Sequence, residues 1–353
     1  MENFKRLGWG KGCTVGLMKF LVVGCGSIGR RHAKNLLALG HKVIATDVIA
    51  GSRDKLGQEL GVKTFCLFSQ AIAQKPDAAL ICTPPATHLA LARKALAAGC
   101  HVFIEKPVSH TLSGIDAIAS LARKKKKVAQ VGYNLRFAPG LAKLKEVLRS
   151  EKFGKPLSAR IIFGQYLPYW RPGTDYRKGY TGKRKFGGGI ILEASHELDY
   201  ICWLLGKPAK LSCFARKISW LDVDTEDNAD ILLEFRSGAT ANVHLDFVRQ
   251  DYARGCEIMC EKATLIWKLG WKSGRNTLEL RSFDPAHPER IKSVMLLDVP
   301  WDTNDMYVAE MEAFIAAIRG GKMAAAKVED GKLALKLALA ALESSKKGKQ
   351  MKV

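Results

Sequence analysis

The sequence predicts an α/β protein in two parts: a doubly wound parallel sheet, then an α+β domain with a large, mainly antiparallel open sheet. Three observations predict it. From residue 18 to residue 136, short apolar runs alternate with helical patterns, the rhythm of buried parallel strands and crossover helices. The first run, Phe20–Val23, breaks into Gly24-Cys25-Gly26-Ser27-Ile28-Gly29 at the mouth of a helix. Beyond residue 136, longer segments alternate apolar and polar side chains, as half-buried antiparallel strands do.

Taken in order, residues 1–17 read as a loose extension, and Met18 opens the fold. Lys11 and Lys19 interrupt the apolar stretch after Lys5 and Arg6, which argues against a secretion signal. A helix is expected over Ser27–Leu39, a strand over His41–Asp47, a helix around Arg53–Leu60, a strand over Val62–Cys66 and a helix over Ser69–Gln74. Asp77–Cys82 is continuously apolar after its first residue, like a central strand, and Thr83-Pro84-Pro85 ends it. A helix over Thr87–Ala98, a strand over His101–Ile104, a helix over Leu112–Lys125 and a strand over Val128–Val131 complete a Rossmann domain spanning 18–136. The second domain, 137–345, begins with a helix over Pro139–Arg149. Strands are expected over Leu157–Leu167, Lys210–Ser219, Ala229–Phe235, Thr240–Asp246, Arg254–Glu261, Thr264–Leu269, Thr277–Ser282 and Ile291–Leu297. Helices are expected over Ile190–Leu205, Asp305–Arg319 and Lys332–Glu343, and residues 346–353 read as a solvated basic tail.

Composition narrows the class. The 353 residues are enough for two domains with a substantial core. The net charge of +22 raises the question of an anionic partner. Its densest runs, Lys124–Lys127 and the tail, carry no interleaved aromatics and no nucleic-acid motif. They read as solvated, with no specific nucleic acid expected. The nine cysteines show no metal-ligand spacing, so no metal site is expected. An odd count, with several thiols in apolar runs, points to a reducing, cytoplasmic setting. No run reaches membrane-spanning length.

The candidate site residues follow from position. Gly24 lets the chain turn, Gly26 lets backbone N–H groups approach a pyrophosphate, and Gly29 lets the helix pack on the strand. The helix N-terminus at Ser27 and Ile28 adds a partial positive charge. Asp47 ends the second strand, where a carboxylate accepts from ribose hydroxyls and repels a 2′-phosphate. This favours NAD, although Arg30, Arg31 and Arg53 leave NADP open. Cys82, Thr83, Pro84 and His88 lie at the carboxyl end of a parallel strand, the edge where ligands bind, and Thr83 can reach a ribose or phosphate. Glu105-Lys106-Pro107 ends the next strand, where Lys106 can donate to a substrate oxygen. Glu193, His196 and Tyr200 share a helical face after Gly187-Gly188-Gly189, and Asp199 lies three beyond His196. A carboxylate there can orient the imidazole for acid–base work.

Together these residues resemble the glucose–fructose oxidoreductase / inositol dehydrogenase / MocA (Gfo/Idh/MocA) family. The marks are the glycine run, Thr83-Pro84-Pro85-Ala86-Thr87-His88, Ala98 through Pro107, and Gly187–Gly189 with His196 downstream. The resemblance implies NAD(P)-dependent hydride transfer to or from a sugar, cyclitol or nucleotide sugar, with Lys106 activating substrate and His196 the acid–base residue. The family helix commonly has an aspartate four residues before that histidine, whereas Glu193 lies three before His196. Glu105, Lys106, Trp170 and Arg171 join the expected cofactor contacts. Tyr133, Asn134, Arg136, Tyr176, Arg177 and Lys185, with Lys106 and His196, are expected to face substrate. Their amide, phenol and cationic donors suit a phosphorylated, nucleotide-linked or acidic sugar. The resemblance also implies a homodimer or homotetramer packed through the open sheet. Two other activities stay open: a glycosidase using bound NAD for transient oxidation and elimination, and a nonenzymatic NAD-sensing regulator.

Overall fold

The computed structural model describes residues 16–171, 173–270 and 273–353. Residues 1–15, most of the expected extension, lie outside the described residues. The first domain contains β1 (Lys19–Val23), α1 (Ser27–Ala38), β2 (Lys42–Thr46), α2 (Ala50–Leu60), β3 (Lys63–Phe65), α3 (Phe68–Ile72), β4 (Ala78–Ile81), α4 (Pro85–Ala97), β5 (His101–Ile104), α5 (Ile115–Lys124) and β6 (Ala129–Val131). These strands pair in parallel in the order β3-β2-β1-β4-β5-β6. Helices cover both faces, so Phe20, Leu21, Val22 and all of β4 are fully buried. That is why these strands are apolar at consecutive positions. The winding reverses between β1 and β4, which opens a crevice beyond their carboxyl ends.

The second domain carries α6 (Pro139–Arg149), β7 (Pro156–Gly164), α7 (Ile190–Glu193), α8 (Ser195–Leu205), β8 (Pro208–Arg216), β9 (Asn228–Phe235), β10 (Thr240–Asp246), β11 (Ala253–Cys260), β12 (Thr264–Gly270), β13 (Arg275–Asp284) and β14 (His287–Pro300). The chain ends with α9 (Thr303–Ile318), β15 (Ala326–Lys327), α10 (Val328–Lys347) and β16 (Met351–Lys352). The sheet runs β14-β13-β12-β11-β7-β10-β9-β8-β16, with β7 and β10 parallel and the other pairs antiparallel. Helices α6, α8 and α10 pack against it. Trp267 is fully buried at the centre, and its indole N–H donates to Asn276 Oδ1 at 2.9 Å. The same oxygen accepts from the Gly140 amide at 3.1 Å, which seats α6.

Three expectations are corrected. The second domain is not continuous from 137 to 345. Helix α9 returns to the first domain, where Met311, Phe314 and Ile315 join the core around Phe20, Val22 and Phe103. β15 then adds to β6 as an antiparallel edge, Ala326 opposite Val131. Residues 346–353 are mostly exposed, as expected, but they do not form a loose tail. Helix α10 continues to Lys347, Gly348 turns the chain at φ 62°, and Met351 pairs with Leu211. Ser344 Oγ secures this return by accepting from the Cys213 amide and donating to the Lys349 carbonyl.

The third correction concerns the helix expected over Ile190–Leu205. It is two helices with a break at Ala194 (φ −90°, ψ 26°). An unbroken helix would spend the Glu193 carbonyl on the Glu197 amide. Here the Glu197 amide bonds the Ala194 carbonyl at 3.1 Å, and Lys106 Nζ donates to the Glu193 carbonyl at 2.8 Å. The break therefore gives the first domain's lysine an acceptor on the second.

Candidate active site

The glycine loop is shaped by contacts that exclude larger residues. Gly24 adopts φ 101°, and a Cβ there would lie 2.7 Å from the Cys82 carbonyl oxygen. A Cβ on Gly29 would lie 1.9 Å from the Gly24 carbonyl oxygen. Gly26 differs, because a Cβ there meets nothing within 4 Å. It is also the N-cap of α1, and no side chain caps that helix. The first amides of α1 thus face an open cradle of the kind a pyrophosphate fills. Ser27 is exposed and Ile28 half-buried at its rim. These residues fit NAD. Gly29→Ala is expected to lower thermal stability and abolish NAD binding. Gly26→Ala is expected to leave the melting temperature unchanged and weaken NAD about tenfold or more. Thermal melts and cofactor titration check both.

Asp47 lies between the cradle and β2. Its Oδ2 accepts from the Cys25 amide at 2.7 Å and its Oδ1 from the Ile49 amide at 2.8 Å. The carboxylate therefore holds the loop and the following turn, a role besides the ribose contact expected of it. The candidate 2′-phosphate cations are engaged. Arg30 pairs with Glu59 at 3.3 Å, Arg53 donates to the Asp47 carbonyl at 3.0 Å, and Arg31 lies over the Tyr307 ring at 4.5 Å.

At the ends of β4 and β5, several expectations change. His88 is fully buried and does not present itself to a cofactor. Its ring nitrogens reach the Thr83 carbonyl at 2.6 Å and the Pro107 carbonyl at 3.0 Å, tying the two loops together. The Cys82 thiol is buried, and burial pushes it well above the ordinary thiol range; its carbonyl is what abuts Gly24. Thr83 Oγ1 is 2.7 Å from Thr87 Oγ1, and Pro84 is exposed at the edge. Glu105 is not a free cofactor contact. One of its oxygens is 2.7 Å from His32 Nε2, and the other accepts from the Lys106 amide at 3.1 Å.

Lys106 and His196 come together across the two domains. Lys106 Nζ is 2.8 Å from the Glu193 carbonyl and 3.8 Å from its carboxylate. His196 is half-buried, with Tyr133 edge-on at 5.5 Å between ring centroids. Burial, then the positive charges of Lys106 and Arg254, push the imidazole well below its ordinary range. It is neutral near pH 7 and can accept a proton.

Asp199 does not orient His196. Both its oxygens are taken by Arg136, at 2.6 and 2.8 Å, and Arg136 also lies 3.3 Å from Asp330. A carboxylate buried in this way needs a charged partner, and the same pairing removes Arg136 from substrate. Tyr133 and Asn134 are 1% and 3% exposed, so they back the cleft wall and do not line it. Tyr200 points away and packs against Trp267 at 5.8 Å.

At Gly179 and Thr181, on either side of Tyr180, is a cavity of about 300 Å³ lined also by Leu167, Trp170, Arg171, Tyr176 and Lys178, among others. Trp170 donates to the Gln165 carbonyl at 2.9 Å, and Tyr176 Oη accepts from the Asp222 amide at 3.1 Å. Arg171 lies 5.8 Å from the Tyr180 ring centroid. The Glu193 carboxylate, then burial, raise the Tyr180 phenol, so it remains a donor. Arg177 and Lys185 stand outside this cavity's walls. Arg177 is bound to Asp175 at 2.8 Å, and Lys185 lies over Phe186 at 4.8 Å.

Tyr180 and Arg254 were not singled out from the sequence. Arg254 pairs with the buried Glu197 at 2.8 Å and lies over the Phe163 ring at 4.0 Å. Its position in an alternating strand gave no signal that its side chain meets Glu197 on another element.

A glycine-lined nucleotide cradle, with a lysine reaching from one domain to the Glu193 carbonyl just before the helix that carries a neutral histidine, is the arrangement of a dinucleotide-dependent oxidoreductase. The comparisons specify which kind. Residues 18–133 match the family described as "Oxidoreductase family, NAD-binding Rossmann fold", and residues 141–266 match the "GFO/IDH/MocA C-terminal domain". The chain belongs to the Gfo/Idh/MocA family of NAD(P)-dependent oxidoreductases. It is similar to the myo-inositol 2-dehydrogenase of Thermotoga maritima, 27% identical over 95% of this chain and 98% of that one. Its fold matches levoglucosan dehydrogenase in complex with NADH (TM-score 0.83, 18% identity, 95% and 99% coverage). It also matches the WlbA dehydrogenase from Bordetella pertussis in complex with NADH and UDP-GlcNAcA (TM-score 0.78, 20% identity, 96% and 99% coverage). No helix among the described residues is long and apolar enough to cross a membrane.

Proposed function

We propose that this enzyme transfers hydride between NAD and a ring carbon bearing a hydroxyl or keto group, on a sugar or cyclitol that carries an anionic group. The observation that carries the reading is Lys106 Nζ held 2.8 Å from the Glu193 carbonyl beside the neutral imidazole of His196. Bound NAD supplies the carbon that accepts or returns the hydride. In the oxidising direction His196 takes the hydroxyl proton, which its depressed proton affinity leaves it free to do near neutrality. Lys106 Nζ, anchored by the broken helix, donates to the substrate oxygen as negative charge develops on it. Tyr180 and Glu193 hold that lysine's surroundings fixed. The committed state of Arg30, Arg31 and Arg53, with Asp47 among them, supports NAD over NADP.

The anionic preference rests on Arg171 and Lys178, which line a cavity together with Leu167 and Trp170. Cations beside apolar side chains suit a phosphate or carboxylate attached to a ring. The myo-inositol and UDP-GlcNAcA of the relatives mark the two ends of this range, one neutral and one charged. NADH formation should be measured with neutral cyclitols, uronic acids, sugar phosphates and nucleotide sugars. Turnover of the charged group over neutral rings supports the reading. Equal rates with neutral rings, and none with charged ones, would overturn the substrate class. Cleavage of a chromogenic glycoside without net NADH would favour the oxidation–elimination reading.

A homo-oligomer would use the sheet face left open by α6, α8 and α10, where Phe214 and Leu232 are 55% and 57% exposed. Light scattering of the purified protein tests this.

A further inference from the structure

His32 sits on the buried face of α1, the helix whose first amides face the nucleotide cradle. Its side chain is fully buried and packs edge-on against Phe103 and Tyr307, with ring centroids 5.1 and 5.8 Å apart. A ring so enclosed has little room to turn. Among the described residues its one hydrogen bond joins Nε2 to Glu105 Oε1 at 2.7 Å, and Nδ1 has no partner. A carboxylate only accepts, so Nε2 is the donor. The helix is itself held. Asn35 and Asn304 exchange side-chain hydrogen bonds of 2.9 and 3.2 Å, which fastens α1 to α9.

Glu105 passes this restraint to the lysine. The Glu105 amide donates to the Ile81 carbonyl at 3.0 Å, at the end of β4. The next amide, that of Lys106, lies beyond the strand and donates instead to Glu105 Oε2 at 3.1 Å. Gly132 leaves the space this carboxylate occupies, since a Cβ there would lie 3.2 Å from the same oxygen. From Lys106 the contacts continue through Nζ to the Glu193 carbonyl at 2.8 Å. Hydrogen bonds therefore connect the cradle helix, through two side chains, to the backbone that carries the ammonium.

We propose that His32 is a positioning residue for Lys106: from the helix that receives the nucleotide, it holds the Glu105 carboxylate on the Lys106 amide and so fixes where the lysine side chain sets out toward the second domain. This rests on the proposed role of Lys106. Without the imidazole, the Glu105 carboxylate keeps only the Lys106 amide and is free to rotate away from it. An ammonium displaced by about 1 Å is enough to cost an order of magnitude or more in rate.

The test uses the NAD-loaded full chain. His32→Leu removes the donor at similar volume. His32→Gln carries a donor at the reach of Nε2, and His32→Asn one that stops short of it. With the fastest of the ring substrates named above, His32→Leu and His32→Asn are each expected to lower kcat about tenfold with NAD affinity close to wild type, and His32→Gln to recover most of that loss. Adding His32→Leu to Glu105→Ala is expected to cost less than about twofold more, because the link is already cut. A readout without substrate follows the lysine itself. Acetylation of Lys106 Nζ by acetic anhydride is read by peptide mass spectrometry against the exposed Lys94. It is expected to speed up about fivefold in His32→Leu, the factor for one lost hydrogen bond. Unchanged labelling, losses that multiply in the double variant, or a His32→Gln no better than His32→Asn would each overturn the proposal. A fall of NAD affinity in step with kcat would do so too, by making His32 a prop of the cradle alone. If His32→Leu fails to fold, the Gln and Asn variants and the labelling of His32→Asn decide it. A fully active Lys106→Ala would instead sink the role of the lysine, and the labelling would still report whether His32 places its side chain.

Discussion

Lys106→Ala is expected to lower turnover about 100-fold or more while leaving NAD affinity close to wild type. The separation follows from geometry. The cradle of Gly24, Gly26 and Gly29 is built from β1, β4 and α1 and needs nothing from the lysine side chain. The ammonium instead bridges to the second domain at the Glu193 carbonyl. Removing it deletes the donor for a developing oxyanion and leaves the buried Glu193 carboxylate without its nearest cation. Steady-state kinetics with the substrate found in the panel, beside a cofactor titration, measure the two parts. Turnover near wild type would remove Lys106 from the mechanism.

His196→Asn is expected to cost about 100-fold or more in the oxidising direction, again with NAD binding retained. The pH dependence carries more detail. The catalytic base must be unprotonated. Because burial, Lys106 and Arg254 depress the imidazole, activity persists as pH falls through the ordinary imidazole range of about 6.5 and is lost only below it. Lys106→Met removes one of those cations and should shift the acid limb of its residual activity upward. The same depression has a stability consequence. The folded protein holds His196 neutral while the unfolded chain protonates it, so stability present above the unfolded pKa falls as the medium becomes more acidic. His196→Asn should lose that part of the acid sensitivity, as pH-dependent melts would show. An acid limb centred in the ordinary imidazole range would contradict this assignment of the base.

How much of this was legible in the sequence depends on whether the cause was local. The parallel strands and the steric roles of Gly24 and Gly29 were readable because each follows from a few adjacent residues: an apolar run, a turn, a helix start. The break at Ala194 was not. Ile190 through Leu205 has good helical character throughout, and the interruption comes from a lysine on another domain taking a carbonyl. The mispairing of Asp199 has a similar origin. Spacing along one helix put it near His196, but its partner Arg136 arrives from a 3-10 turn at Asn134–Phe137. His88 and Glu105 occupied the expected edge, yet burial turned both inward to brace the loops. β15 and β16, two residues each, are too short to leave a periodic trace and exist because an edge was available to pair with.

The return of α9 and β15 to the first sheet bears on how the chain comes off the ribosome. The nucleotide-binding half lacks part of its core and one sheet edge until Met311, Phe314 and Ala326 have been made, after nearly all of the second domain. Domains often fold as units while synthesis proceeds. Here the amino-terminal half must wait, with apolar strands only partly covered, for a segment near the other end of the polypeptide. A fragment cut at residue 136 would therefore be an unreliable reagent for cofactor binding, and nascent chains stalled before α9 should depend on chaperones more than those stalled after it.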